Sequence, residues 1–300
     1  MLFTNEVCAD HFAKDPAVVK LKDEYFLYHS VPPGKDFDGW TIGIAKSVDL
    51  TNWTFVSLLT PSQECEQKGI AAPGAIVLGD VVHLFYQTYG NGVHDAICHA
   101  VSADGVHFTK DETNPVFHPN ASWCCGRAID ADVCVFNGKL HLYFATRDHQ
   151  MRIQKIGGAA AELSSDFSAG AWRPLAEKAL LIPEMQWEGD CIEAPACVVH
   201  NHLLYLFYGG SYNCTPQQIG CAVSRDGIVF DKVFDTPFLA NGEKGAWNAS
   251  ESGHPFVFRE KDEIYLFYQG SPDNGKTWYI TKEKIAFEND VPVVVRSQKV

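Results

Sequence analysis

The sequence predicts an all-β chain folded as a five-bladed β-propeller, on two observations. The first is repetition. One stretch occurs five times in the 300 residues: DPAVVKLKDEYFLYHS from Asp15, APGAIVLGDVVHLFYQTY from Ala72, DADVCVFNGKLHLYFATR from Asp130, EAPACVVHNHLLYLFYGG from Glu193 and HPFVFREKDEIYLFYQG from His254. The starts lie 57, 58, 63 and 61 residues apart, and self-similarity at such a period marks a solenoid, a propeller or an array. The second observation is the pattern inside each copy. A short apolar run, a polar turn and a second apolar run ending in an aromatic read as a β-hairpin rather than a helix pair.

The elements follow in order. In the first copy Val18, Val19 and Tyr25 to Tyr28 are β-branched, aromatic or apolar, with the polar run Lys20 to Glu24 largely between them. A second hairpin follows in most units, from Ile42, Ile97 and Ile219. Its turn is Ser-x-Asp-Gly before an aromatic at Ser102 to Phe108 and Ser224 to Phe230, with looser copies at Ser47-Val48-Asp49 and Ser165-Asp166-Phe167. Asp-Gly favours a tight turn because Gly supplies positive φ. Two hairpins make a four-stranded sheet, and five sheets around an axis make a propeller. Length alone suggests about two domains, but one blade cannot bury its own faces. No linker, low-complexity tract or like-charge block divides the chain, so residues 1–300 are expected to form a single propeller.

Composition narrows the function. A net charge of −13 argues against a nucleic-acid partner, which wants a basic groove. No apolar run reaches the ~18 residues that span a bilayer, so no membrane partner is expected. The first residues, MLFTNEVCADHFAKDP, lack the basic start and apolar stretch of a signal peptide, and a cytoplasmic location is expected unless a signal has been removed. Of the ten cysteines, Cys98, Cys134, Cys197 and Cys221 sit inside strand runs, where free Cys behaves as a small hydrophobe. A disulfide framework belongs to short secreted chains, so a reducing compartment is expected and the four Asn-x-Ser/Thr sequons, at Asn52, Asn120, Asn213 and Asn248, are read as chance. The pair Cys124-Cys125 and Cys191 lie close in sequence to Asp130 and Glu193, but no CxxC or His-paired spacing supports a metal or a Cys nucleophile.

The strand starts carry the chemistry. The first copy opens as Lys14-Asp15-Pro16, the second as Ala71-Ala72-Pro73, the third as Arg127-Ala128-Ile129-Asp130, the fourth as Cys191-Ile192-Glu193-Ala194-Pro195 and the fifth as Ser252-Gly253-His254-Pro255. Taken alone, Asp-Pro simply starts a strand. Asp130 precedes Tyr143 by thirteen residues, as Asp15 precedes Tyr28, so the two acids hold one structural position in two blades. Asp132, two residues on, shares a strand face with Asp130. In a propeller such positions converge at one rim of the axis, where Asp15, Asp130, Glu193 and His254 would meet. Converging carboxylates in a desolvated funnel cost free energy, which points to function.

Three carboxylates suit glycoside hydrolysis: one protonates the leaving oxygen, one acts across the anomeric carbon, and a third raises the acid's pKa by like-charge repulsion. Sugar faces pack on aromatic rings, and Trp40, Trp123, Trp187 and Trp247 fall between or just before inner strands. Packing between blades is the competing role for each.

With these residues the sequence resembles the five-bladed propeller glycosidases, most closely glycoside hydrolase family 43. The resembling motifs are Asp15-Pro16, Ala72-Pro73, Ile129-Asp130, Glu193-Ala194-Pro195 and Gly253-His254, in order, within residues 10 to 285. The departures are Ala194 in place of Gly and Gly74 in place of an acid. The resemblance implies inversion, with Asp15 as general base, Glu193 as general acid and Asp130 tuning Glu193. It implies an oligosaccharide or glycoside partner, with arabinofuranosides, xylosides or galactosides as substrates cut from chain ends. It implies no required cofactor; a structural calcium ion near His254 is a candidate. Substrate contacts are expected at His254, Arg127, Trp40, Trp123 and Trp187, and Arg127 is expected to pair with Asp130 or a sugar hydroxyl. Two other readings stay open: a retaining enzyme of the fructan and sucrose type, whose Asn-Asp-Pro-Asn-Gly and Glu-Cys-Pro motifs are absent here, and an inactive carbohydrate-binding propeller.

Overall fold

The computed structural model describes residues 2–7, 10–34 and 38–296. Twenty strands form five antiparallel sheets, each a four-stranded meander. Blade 1 holds β1 (Lys14–Leu21), β2 (Glu24–Val31), β3 (Thr41–Ser47) and β4 (Thr54–Leu59). Blade 2 holds β5 (Ile70–Leu78), β6 (Val81–Thr88), β7 (Ile97–Ser102) and β8 (Thr109–Lys110). Blade 3 holds β9 (Ile129–Phe136), β10 (Lys139–Arg147), β11 (Gln154–Glu162) and β12 (Arg173–Pro174). Blade 4 holds β13 (Ile192–His200), β14 (Leu203–Gly210), β15 (Gln218–Ser224) and β16 (Asp231–Lys232). Blade 5 holds β17 (Glu251–Glu260), β18 (Glu263–Ser271), β19 (Tyr279–Glu288) and β20 (Val291–Val294). The first strands touch their neighbours in sequence, and β1 touches β17, which closes the ring: a five-bladed β-propeller. Among the described residues, helix is confined to three single 3-10 turns, none long and apolar enough to cross a membrane.

Apolar side chains pack between blades rather than in one centre. Four buried clusters fill the joints, one of them joining blades 5, 1 and 2 through Leu27, Tyr28, Leu84, Tyr86 and Phe267. The Asp-Gly turns help to hold adjacent blades. Ser102 Oγ and Asp104 accept the turn's own backbone N–H groups, and the turn presents the Gly105 carbonyl to the Tyr28 hydroxyl of blade 1 at 3.0 Å. Gly227 does the same for Tyr143 of blade 3 at 2.8 Å. At Gly105 φ is +78°, and a Cβ there would sit 2.8 Å from the Phe26 ring, so turn geometry and docking both require glycine.

Ring closure uses the first residues of the chain. In blades 2, 3 and 4 an isoleucine within the first three residues of the third strand pairs outward with an apolar residue: Ile97 with Phe117, Ile156 with Leu181, Ile219 with Leu239. In blade 5 the corresponding partner of Ile280 is Phe3, through two backbone hydrogen bonds of 2.8 Å.

A buried ion pair repeats in alternate blades. Glu188 accepts from the Tyr208 hydroxyl at 2.7 Å and from the backbone N–H groups of Glu184 and Met185, and it pairs with Lys232. Glu66, Tyr86 and Lys110 repeat the arrangement. Both glutamates are fully buried, and removing one partner of such a pair costs about 3–5 kcal/mol. Lys232→Met is therefore expected to lower stability by that order. A urea unfolding midpoint equal to wild type would refute it.

Candidate active site

The five equivalent strand starts share one backbone device. Asp15, Ala72, Asp130, Ala194 and His254 all take positive φ, at 55°, 45°, 52°, 50° and 44°. The ladder skips there, from Lys14 to Ala17, Ala71 to Gly74, Ile129 to Asp132, Glu193 to Ala196 and Gly253 to Phe256. Two residues are left unpaired at each β-bulge. This explains the repeated proline: Pro16, Pro73, Pro195 and Pro255 occupy the second bulged position, where a ladder N–H is not needed. The first bulged N–H is caught by a side chain of the preceding blade: Asp15 N by Gln269 Oε1 at 2.9 Å, Ala72 N by Ser30 Oγ at 2.8 Å, Asp130 N by Gln87 Oε1 at 2.7 Å and His254 N by Gln217 Oε1 at 3.1 Å. Left-handed non-glycine residues cost about 1–3 kcal/mol each, and these networks hold them.

One expectation needs correction here. Asp15, Asp130 and His254 are equivalent, but Glu193 is not their fourth equivalent. Ala194 holds that place in blade 4, and Glu193 stands one residue earlier, level with Lys14, Ile129 and Gly253. A longer acid on the preceding residue still reaches the same pocket.

That pocket, about 180 Å³, has Asp15, Asp130, Glu193, His254, Arg127 and Trp40 in its wall. His254 Nε2 lies 3.4 Å from Asp15 Oδ1 and 3.5 Å from Asp130 Oδ1. Burial disfavours its imidazolium, but the two carboxylates outweigh burial and push its pKa up to about 9. Burial works to raise Asp15 as well, yet His254, Lys14 and a hydrogen bond with Ser30 hold it below the ordinary carboxylate value. Glu193 goes the other way. Burial, then the charge of Asp130, raise it to about 7, against the pull of His254, Gln217 and Lys14. Both its oxygens accept from buried amides: Gln217 Nε2 at 2.6 Å and Gln154 Nε2. Lys14 is half-buried, and Asp15, Glu251, Glu193 and Asp130 together outweigh its desolvation to raise its pKa.

Other expected residues are distributed differently. Arg127 faces Asp95, with Nε 3.5 Å from Oδ2, and not Asp130; the expected Arg127–Asp130 pair is corrected accordingly. Trp40 reaches the pocket and packs beside Phe12 and Tyr89. Trp123 and Trp187 do not. Trp123 covers Gly157, and Trp187 covers Gly210 and Gly220 and stacks on Tyr208. Trp247 lies over Gly270. These rings fill space that the missing Cβ atoms leave, which is packing within and between blades.

Asp132 faces the axis as Asp130 does but serves its opposite end. It accepts from Cys197 N at 2.7 Å and borders a separate channel of about 480 Å³, and burial raises its pKa to about 7. Gly74, the departure from the acid of the resembling motif, has a steric reason: a Cβ there would lie 2.1 Å from the Ala131 carbonyl. Cys124 and Cys125 are free thiols, as is Cys191, and burial followed by the Glu193 charge raises the Cys191 pKa, which disfavours a thiolate.

The donor set does not suit a calcium ion at His254. Calcium takes six to eight oxygen ligands, whereas here an imidazolium occupies the space between the two carboxylates. Among the described residues no group of three or more His, Cys, Asp or Glu side chains is arranged to hold a metal.

Gln154, Gln217, Gln269 and Lys14 were not legible in the sequence as site residues. A glutamine capping a bulge in the next blade is a contact across the blade joint, and its only trace in sequence is that Ser30, Gln87 and Gln269 each follow the aromatic of the second strand by two residues.

The fold agrees with that of known proteins. Among solved structures, a thermostable family-43 glycoside hydrolase superposes with a TM-score of 0.76 at 22% identity, over 99% of this chain and 97% of that one. An endo-1,4-β-xylanase from Bacteroides thetaiotaomicron gives 0.73 at 19% identity, over 95% and 94%. An exo-1,5-α-L-arabinanase from a bovine ruminal metagenomic library gives 0.69 at 17%, over 98% and 99%. At these identities the likeness shows the fold. No curated protein matches the chain. The sequence profile of glycosyl hydrolases family 43 matches residues 3–288, nearly the whole propeller with every residue of the pocket, and the chain therefore belongs to that family and is a glycosidase with a carbohydrate substrate.

Proposed function

We propose that the enzyme cuts glycosides from chain ends with inversion, Asp15 acting as base on water and Glu193 as acid on the leaving oxygen. One observation carries this reading: the two carboxyls are pulled apart in pKa, Asp15 down and Glu193 up to about 7. Carboxyls separated in this way divide into base and acid. Asp130 is the tuning residue, since its charge is second only to burial in raising Glu193. A compact pocket of about 180 Å³ suits one terminal sugar rather than the middle of a polymer. Arabinofuranosides, xylosides and galactosides are the first substrates to try.

Inversion needs the two carboxyls roughly 6.5–9.5 Å apart, with a water between base and sugar, against about 5–5.5 Å for retention. Asp15 in blade 1 and Glu193 in blade 4 are separated by blade 5, whose His254 stands beside Asp15, and this favours the wider gap. Proton NMR of the first-formed sugar should show the anomer opposite to that of the substrate. The substrate's own anomer would make Asp15 a nucleophile and favour the fructan-type mechanism.

A pH profile tests the roles independently. The acid must be protonated, so kcat/KM is expected to fall about tenfold per pH unit above about 7, where Glu193 loses its proton. Asp15 must be ionised, which its lowered pKa secures down to the ordinary carboxylate range of about 3.9. A profile flat from pH 6 to 9 would remove Glu193 from the acid role.

A further inference from the structure

We infer that the sugar this pocket accepts carries a carboxylate, as a uronic acid or a glycoside of one. The inference rests on the hydrolase reading of the same site and names its substrate class.

Two guanidiniums carry it. Arg147 ends β10, and Arg127 lies two residues before β9. The β9–β10 ladder pairs Ile129 with Ala145, so continuing it by two residues sets Arg127 opposite Arg147, and Cys125 N donates to Arg147 O at 2.9 Å just beyond. Both arginines border the pocket. Arg147 spends Nε on Gln154 Oε1 at 2.7 Å and lies over the Tyr212 ring at 5.0 Å. Arg127 has only the 3.5 Å approach of its Nε to Asp95, and that nitrogen makes no hydrogen bond. Among the described residues, the terminal nitrogens of both have no hydrogen-bond partner.

The charge around them is unusual for this protein. The chain carries −13, yet the pocket wall brings Lys14, Arg127, Arg147 and His254 together beside Asp15, Asp130 and Glu193, with Asp95 behind Arg127. Asp95 and Glu251 lie behind the wall, beside Arg127 and Lys14, and burial raises the pKa of both. Neighbouring cations in a desolvated pocket repel, and an anion between them relieves the repulsion. Sugar hydroxyls both donate and accept, whereas guanidinium only donates, in a fork that matches a carboxylate bidentately. A neutral pentose would offer the two guanidiniums no carboxylate to match that fork.

The test is calorimetry with D-galacturonic and D-glucuronic acids against D-galactose and D-glucose. A uronate is expected to bind at least tenfold more tightly than its neutral counterpart. Arg147→Gln and Arg127→Gln should each remove most of that preference, and Arg147→Lys should keep part of it. Arg127→Gln leaves the Arg147–Gln154 bond in place and keeps the test open if Arg147→Gln does not fold. Equal or weaker uronate binding, no binding of either class, or an unchanged preference in folded arginine variants would overturn the inference. The hydrolase reading fails separately. Hydrolysis of neutral nitrophenyl glycosides without uronate preference would sink only the carboxylate, and uronate binding without hydrolysis of any uronide or neutral glycoside would sink only the proposed catalysis.

Discussion

Asp15→Asn is expected to leave a folded enzyme that turns over about 10²–10⁴-fold more slowly than wild type, the range that a positioned general base supplies, or roughly 2.7–5.4 kcal/mol of barrier. The amide has the shape of the carboxyl but cannot take a proton from water. Its place is held by the backbone, because Gln269 still captures residue 15's N–H and the bulge geometry does not depend on the side chain. His254 loses one carboxylate partner and keeps Asp130 at 3.5 Å. The thermal transition should therefore stay close to that of wild type while activity falls. Turnover above a tenth of wild type would show that Asp15 is not the base.

Glu193→Ala should be comparably severe, but selectively so. The acid is needed in proportion to the basicity of the leaving oxygen, and truncation should cost most on alkyl glycosides and oligosaccharides and least on nitrophenyl glycosides, whose leaving groups need little protonation. The substitution also strands two amides, since Gln217 and Gln154 both donate to Glu193, and unsatisfied buried donors cost about 1–3 kcal/mol each. Some loss of stability is thus expected, and the ratio of the two activities is the informative quantity. An equal loss on both substrate types would deny Glu193 the role of acid.

The blades were legible because each strand pair carries its own turn and alternation, and because five copies average out local ambiguity. Asp15 and Asp130 were legible through their common spacing to Tyr28 and Tyr143. Glu193 was found by its motif and misplaced by one residue, although Pro195, which holds the second bulged position as Pro16 and Pro255 do, marks Ala194 as the first. The partner of Arg127 was hidden: Asp95 is distant in sequence and adjacent only once blades 2 and 3 are packed. Tryptophans were the least decipherable, since a ring that holds a sugar and a ring that covers a glycine have the same composition and the same place between strands.

The pairing of Phe3 with Ile280 has a consequence for how the chain is made. The partners are 277 positions apart (280 − 3), and at a synthesis rate of about 5–20 residues per second the first waits roughly 15–55 s for the second to emerge from the ribosome. During that interval blades 1 to 4 can form in turn, each on the one before it, while the segment that will complete the last blade has nothing to bind. The start of β19 is correspondingly an open sheet edge until the two ends of the chain meet, and open edges invite pairing with other chains. Nascent chains should therefore become resistant to protease across the first four blades before residues 2–7 do, and aggregation in the cell should track the lifetime of that late, unclasped species more closely than the stability of the finished ring.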